Sequence, residues 1–148
     1  MKTATVLIFA AIVLSGVEDA FGCNCDLPLR NLSIKQQVKQ ALKHSEAVFS
    51  GRVLDISASP DDHSLVVRLK VEKSWKSSRA EEISIITGRG GGDCGFHFTV
   101  GETYLLYAYG SNGNTLGTNI CQRTAKITEA AEDIKILGKG RAPTRPGE

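Results

Sequence analysis

The chain has 148 residues, of which 18 are basic and 16 acidic, with four cysteines. A formal net charge of +2 is too mild to argue for a nucleic-acid partner, and this length holds one domain with one core rather than two. No apolar run is long enough to cross a bilayer, so no membrane span is expected.

Residues 1–22 read as a secretory signal: Lys2 supplies the positive start, Ala4 to Leu14 is apolar except for Thr5, and Ala20 and Gly22 are small residues at the −3 and −1 positions. The chain is therefore expected to be secreted and extracellular. A cut after Ser15 or Gly16 is the competing possibility and leaves a short extension. A cut after Gly22 makes Cys23 the first mature residue. The amine nitrogen and carbonyl oxygen of that residue can then close a five-membered ring on a divalent metal. Because a free α-amino group has a pKa of about 7.7 to 8.0, roughly a fifth to a third of it is already neutral near physiological pH.

Four cysteines in an exported chain imply two disulfides. A Cys23–Cys25 ring is too tight for relaxed geometry, which leaves two pairings, and either one ties the N-terminus to distant parts of the chain. Closing loops of about 70 to 100 residues contributes about 4 kcal/mol each in the chain-entropy picture.

After the cysteine pair, Asp26-Leu27-Pro28-Leu29 is expected to be extended, because Pro28 fixes its own φ and disfavours helix at Leu27. Asn31-Leu32-Ser33 is a glycosylation sequon at Asn31. Ser33 and Gln36 have the spacing of a capping box, and Ile34, Val38, Ala41 and Leu42 recur at helical period to about His44. From Ala47 to Ser57 the chain is rich in strand formers, with Gly51 marking a bend or bulge. Ser59-Pro60-Asp61-Asp62 is a turn. Leu65 to Trp75 alternates, with Val67, Leu69 and Val71 on one face and Arg68, Lys70 and Glu72 on the other. Glu82 to Thr87 is a third strand, Tyr104 to Tyr109 a fourth, and Thr115 to Arg123, after an Asn112-Gly113-Asn114 turn, a fifth that carries Cys121. Thr128 is placed to cap a last helix with Ala131, Ile134 and Leu137 inward and Gly138 as its stop. Residues 139–148 are expected to be a disordered tail.

Five strands with one helix before and one after predict a mainly β chain folded as a small closed barrel with two disulfides. The glycine-rich run Gly88 to Gly95 lacks the Lys-Ser/Thr ending of a phosphate-binding loop. His44, His63 and His97 are scattered and no nucleophile or carboxylate stands at a catalytic spacing from them, so the chain is not expected to be an enzyme. Tyr107 and Tyr109 are expected to pack in the core and rim rather than stack on bases, and Trp75 to plug a barrel end.

The mature start Cys23-Asn24-Cys25 resembles the tissue inhibitor of metalloproteinases family in its netrin-like N-terminal domain. So do Val71-Glu72-Lys73-Ser74-Trp75-Lys76, Asp93-Cys94-Gly95, Val100-Gly101-Glu102-Thr103-Tyr104-Leu105-Leu106 and Cys121, in that order. The resemblance covers the chain to about Leu137 and implies an OB-like five-stranded barrel over residues 23–138. It also implies disulfides Cys23–Cys94 and Cys25–Cys121. The function it implies is inhibition of a secreted or membrane-anchored zinc metalloproteinase, by a monomer with no cofactor of its own. Cys23 would chelate the protease's zinc in trans and Asn24 would enter the S1′ pocket. Cys23, Asn24, Cys25 and Asp26 would form one contact strip and Gly92 and Asp93 a second, with the turn from Ser57 to Ser64 at the protease rim. The chain departs from the family in having Asn24 where Thr or Ser is usual, and in lacking the third disulfide and the cysteine-rich C-terminal domain of vertebrate members. The rival reading is a netrin-like module that binds extracellular matrix or a receptor and inhibits nothing, since a fold does not choose between them.

Overall fold

Alternation in the second strand organises the barrel. The computed structural model describes residues 22–25, 31–77, 80–111 and 115–144. The expectations for residues 1–21, for Asp26 and the Pro28 segment, for the Asn112 turn and for residues 145–148 therefore lie outside the described residues. Strands β1 (Ala47–Ala58), β2 (Ser64–Lys76), β3 (Glu82–Gly88), β4 (Thr103–Ser111) and β5 (Thr115–Gly117) run in the order β1-β2-β3-β5-β4. Pairing of β1 with β4 closes the barrel, and β3 and β5 are its parallel neighbours. This is the expected OB-type arrangement, with helix α1 (Ile34–His44) before it and α2 (Ala131–Leu137) after it.

Val67, Leu69 and Val71 of β2 point into the barrel with Phe49, Val53, Ile85, Tyr104 and Leu106, while Arg68, Lys70 and Glu72 face out. Strand β4 is buried on both faces: its alternate residues Leu105 and Tyr107 pack outward with Val48 and Ala130 against Leu42, Ile134 and Leu137 of the helices. Period-two alternation thus gives one strand two cores. Gly51 sits where the β1–β2 register shifts, and a Cβ there would lie 3.1 Å from the Lys70 carbonyl oxygen. The bulge lets β1 bend far enough to pair with β2 and β4 at once.

The capping box forms as expected. Ser33 Oγ accepts from the Gln36 N–H, and the Ser33 N–H donates to Gln36 Oε1 at 2.9 Å. At the other end of α1 the Lys76 ammonium donates to the carbonyls of Leu42 (3.1 Å), Lys43 (3.0 Å) and Ser45, satisfying oxygens that have no partner within the helix.

Five expectations need correction. The fifth strand does not run from Thr115 to Arg123. It stops at Gly117, and the same edge of β4 is taken up again by β6 (Ala125–Lys126). Opposite the gap, Tyr107 N–H donates to Thr124 Oγ1 (3.1 Å) and the Tyr107 carbonyl accepts from Thr118 Oγ1 (3.3 Å). The two threonine hydroxyls meet at 2.7 Å. They replace a ladder rung, so residues 118–124 can leave the sheet with no buried backbone group of Tyr107 unpaired.

Thr128 does not cap the last helix either. It lies in a 3-10 turn, Ile127–Glu129, and Ala130 is the N-cap without a side-chain bond. Ala131 is exposed, and the residue turned inward is Asp133, which Arg123 and Tyr107 satisfy. Gly138 stops the helix as expected, at φ 74°. Trp75 is not a barrel plug. It packs outside the barrel against Leu105 and Tyr107, and its indole N–H donates to the Gly138 carbonyl at 2.8 Å. The chain is not free from residue 139, because Arg141 exchanges two backbone hydrogen bonds of 2.8 Å with Ser74.

Arg123 binds Asp133 through two nitrogens, at 2.6 and 2.9 Å, and the Tyr107 hydroxyl donates to the same carboxylate at 2.8 Å. Burial, then the hydrogen bond to Asp133 and after it the Asp133 charge, push the Tyr107 hydroxyl far above its ordinary pKa, so it remains a donor. Asp133→Ala strands a cation that keeps only 25% of its side chain exposed. We expect a loss of about 3 kcal/mol in denaturant unfolding, the low end for a broken buried pair. Tyr107→Phe leaves that pair intact and is expected to cost about 1 kcal/mol.

Candidate functional site

Cys23, Asn24 and Cys25 form a short strip outside any helix or strand, held at both cysteines. The disulfides are Cys23–Cys94 and Cys25–Cys121, with Cα separations of 5.2 and 5.3 Å, and they span 71 and 96 residues. Cys23 Sγ lies 3.8 Å from Cys121 Sγ, so the two bridges stack side by side. Cys23 and Cys25 are half-buried, while Asn24 between them is exposed. Period two explains this: anchoring alternate residues turns the middle side chain to the opposite side. The sulfurs of Cys23, Cys94 and Cys121 lie within 4.8 Å of one another. All three are oxidised, so none can serve as the thiolate that zinc requires. With its sulfur oxidised, the main chain of Cys23 is what is left for a metal, and its nitrogen is a peptide amide while Gly22 precedes it.

The second strip is the loop from Gly88 to Gly95, and Asp93 shapes it. Its carboxylate accepts from the N–H groups of Arg89 (2.6 Å), Gly90 (2.8 Å) and Gly95 (3.0 Å). These bonds, with Gly95 foremost and then Arg89, hold the carboxyl below the usual aspartate range. Glycine is required where the loop closes on itself: a Cβ on Gly95 would fall 2.2 Å from the Gly88 carbonyl oxygen. Cys94 itself has φ 62°, a left-handed conformation that a non-glycine residue adopts only when its surroundings impose it. Gly92 is exposed. Of the two residues expected in this strip, Gly92 thus offers bare backbone, and Asp93 has its carboxylate committed to the loop's own amides.

The excursion at residues 118–124 adds a third segment. Ile120 N–H donates to the Cys94 carbonyl at 3.0 Å, and the Asn119 side chain accepts from Cys121 N–H at 3.0 Å. Ile120 is left half exposed beside the disulfides. Sequence reasoning passed over Asn119 and Ile120 because they fell inside an expected strand. The Asn-x-Cys spacing, with an asparagine able to bond the backbone two residues on, was the available signal.

The β1–β2 turn reaches the same neighbourhood. Ser59 Oγ accepts from Ser64 N–H at 3.0 Å and donates to Asp61, and Asp61 accepts from His63 N–H at 3.1 Å. The Ser59 hydroxyl and the His63 N–H hold the Asp61 carboxyl below its ordinary range. Asp62 pairs with Arg89, joining the turn to the glycine-rich loop. The structure thus gathers Cys23, Asn24, Cys25, Gly92, Asp93 and the Ser59–Ser64 turn through two disulfides and one ion pair. Asn31 lies apart, exposed just before α1.

A groove of about 450 Å³ runs beside the Cys25–Cys121 bridge, with Gln37, Arg123 and Asp133 on its walls. Its core-side carboxylate, Asp133, is already bound to Arg123 and Tyr107, and Glu129 also lines the groove.

Asp93→Ala is expected to speed hydrogen exchange of the Arg89, Gly90 and Gly95 amides by about tenfold or more while the Leu105 and Leu106 amides keep their protection. Because the Asp93 pKa is lowered on folding, its ordering of the loop is complete above the ordinary aspartate range and is lost as pH falls through the lowered value. The same three amides should lose protection together in acid. No protein-family model matches this chain and no curated protein matches it, so the chemistry of the site rests on these residues alone.

Proposed function

We propose that the chain, exported and cut after Gly22, inhibits zinc metalloendopeptidases by placing the amine and carbonyl of Cys23 on the target's catalytic zinc. The observation that carries this reading is the strip itself: Cys23 and Cys25 are each held by a disulfide, with one exposed side chain, Asn24, between these anchors. A peptide that enters a protease in extended form is ordinarily a substrate. This one is tied at both flanking residues to loops 71 and 96 residues away, so it enters already ordered, and a chelated zinc has lost the position its attacking water needs. Asn24 then occupies the pocket that receives the first side chain beyond the zinc. Gly92 offers backbone for a second line of contact. The zinc belongs to the target, and the inhibitor acts as a monomer.

N-terminal sequencing of the exported protein should read Cys23 first. Adding one alanine before Cys23 converts the amine to an amide whose lone pair is delocalised and coordinates zinc poorly. Inhibition of a responsive zinc protease is expected to weaken by about 100-fold or more, with the thermal midpoint unchanged, since no core residue or disulfide is altered. With the free terminus, affinity should fall as pH drops below the amine's pKa of about 7.7 to 8.0, because a proton competes with zinc for the same lone pair. An extended form that inhibits equally well sinks the proposal and leaves the netrin-like matrix or receptor-binding reading.

Asn24 supplies a separate test. Desolvating an amide without full hydrogen bonding costs on the order of 1 to 3 kcal/mol, so Asn24→Thr should tighten inhibition of proteases with apolar pockets by about one to two decades. No improvement across a panel of zinc proteases would contradict this role for Asn24.

A further inference from the structure

Four half-buried cysteines meet at the N-terminal strip, and their two bridges face each other. Cys23 Sγ, bonded to Cys94, lies 3.8 Å from Cys121 Sγ, which is bonded to Cys25. That is close to van der Waals contact between sulfurs of different disulfides. The sulfurs of Cys23, Cys94 and Cys121 all lie within 4.8 Å of one another, and that of Cys25 is outside this group. Cys121 is therefore the sulfur of the second bridge that the first bridge meets. The contact between their loops does not depend on sulfur: Ile120 N–H donates to the Cys94 carbonyl at 3.0 Å, and Cys121 N–H donates to the Asn119 side chain at 3.0 Å. Opening one bridge leaves these bonds in place. Cys94 is held at φ 62°, a left-handed conformation costly for a residue with a Cβ, and the bridge to Cys23 is one of the constraints that impose it. Opening that bridge relaxes Cys94 and so favours products in which Cys23 has another partner.

We infer that the two bridges form an exchange centre for a low-molecular-weight thiol of the glutathione class, in which Cys94 takes up the thiol, Cys23 moves to Cys121 and Cys25 is expelled. The inference is independent of the inhibitor reading. The external thiolate attacks Cys94 Sγ, around which Gly90, Gly91, Gly92 and Gly95 leave little side-chain cover. A mixed disulfide forms on Cys94, the Cys23–Cys94 bond breaks, and its electron pair leaves on Cys23 Sγ as a thiolate. The Cys23 thiolate then attacks Cys121 Sγ, the nearest sulfur of the other bridge. The Cys23–Cys121 bond forms, the Cys25–Cys121 bond breaks, and Cys25 leaves as a thiolate that takes a proton from water. Each step makes one disulfide and breaks one, so no oxidant or further reductant is consumed. In the product the strip is held at Cys23 alone, by the excursion at residues 118–124 in place of the glycine-rich loop. Cys25 becomes a free thiol beside the exposed Asn24, and Cys94 carries the modifying group. Cys23 thus changes between the two distant partners that the sequence leaves open to it, without the barrel unfolding.

The test is to treat the oxidised protein, without denaturant, with limiting reduced glutathione and then block free thiols with N-ethylmaleimide. Digestion with trypsin and chymotrypsin separates Cys94 from Cys121 for mass spectrometry. Molecules opened once should carry glutathione on Cys94. Fragmentation of the peptide that holds Cys23 and Cys25 should place the link to Cys121 on Cys23 and the maleimide on Cys25, with label on Cys25 exceeding label on Cys23 by about threefold or more. Maleimide mainly on Cys23, with Cys25–Cys121 intact, would show simple opening and overturn the inference. So would a Cys94–Cys121 link, glutathione on a cysteine other than Cys94, or no adduct at all under conditions that open an exposed reference disulfide. C94S supplies an independent check, because it leaves Cys23 without its partner from the start. Its larger share should be isolated with Cys23 joined to Cys121 and a free thiol at Cys25, and recovery mainly as Cys25–Cys121 with a free Cys23 would count against the exchange. If C94S does not fold, the glutathione map of the wild type decides alone.

Discussion

Tyr107 is the residue on which the rest of the structure depends, because its main chain sits opposite a gap in the sheet. Its N–H and carbonyl bond to Thr124 and Thr118 instead of to a neighbouring strand. That substitution is what allows residues 118–124 to swing away from β4 and bring Cys121 to Cys25. At the far end of the side chain the hydroxyl reaches Asp133, which holds Arg123, and Arg123 extends to Gln37 of α1 at 2.8 Å. One buried tyrosine therefore connects the barrel, the excursion and both helices. Burial keeps that hydroxyl protonated, so it has a proton to donate to the Asp133 carboxylate.

Order at the N-terminus has the opposite origin. No strand pairs with Cys23, Asn24 and Cys25, and the strip is held covalently to two loops that are themselves irregular. Each loop is rigid for a local reason: Asp93 gathers three amides of one, and the Thr118–Thr124 contact closes the base of the other. A disulfide to a mobile loop would limit the ends of the chain without fixing them. Here the bridges end on backbone already restricted by hydrogen bonds, and the Ile120 bond to Cys94 joins the two loops to each other. The result is a surface ordered by covalent bridges and local hydrogen bonds together.

The domain therefore has two faces of different character. Around the disulfides the exposed groups are an amide, bare glycine backbone and Ile120, suited to close-packed contact with a shaped partner. Along α1 they are lysines on flexible stems. Helix α1 can carry them because its stability comes from elsewhere: the Ser33–Gln36 capping box at one end, the Lys76 ammonium at the other and the buried Val38 side between them.

Much of the barrel was legible in the sequence because its signals are local. Alternation placed Val67, Leu69 and Val71 inside, the Ser33–Gln36 spacing began α1, Gly51 marked the bulge, and Gly138 ended α2. Each is a statement about residues within a few positions of one another, where backbone geometry alone decides the outcome. The chain by itself also limited the disulfides to two pairings, but not to one. Choosing Cys23 with Cys94 required knowing which loops lie side by side, and that depends on β3 and β5 meeting in parallel from distant parts of the chain. Only the tertiary structure ended β5 at Gly117, turned Asp133 inward, moved Trp75 outside the barrel and tied Arg141 to Ser74. In each case a long-range hydrogen bond overrode the local pattern, and such a bond leaves no period in the sequence to read. Asp93 shows the same division within one residue. The resemblance assigned it to the site, and three amides brought round by the glycine-rich turn hold its carboxylate within the loop.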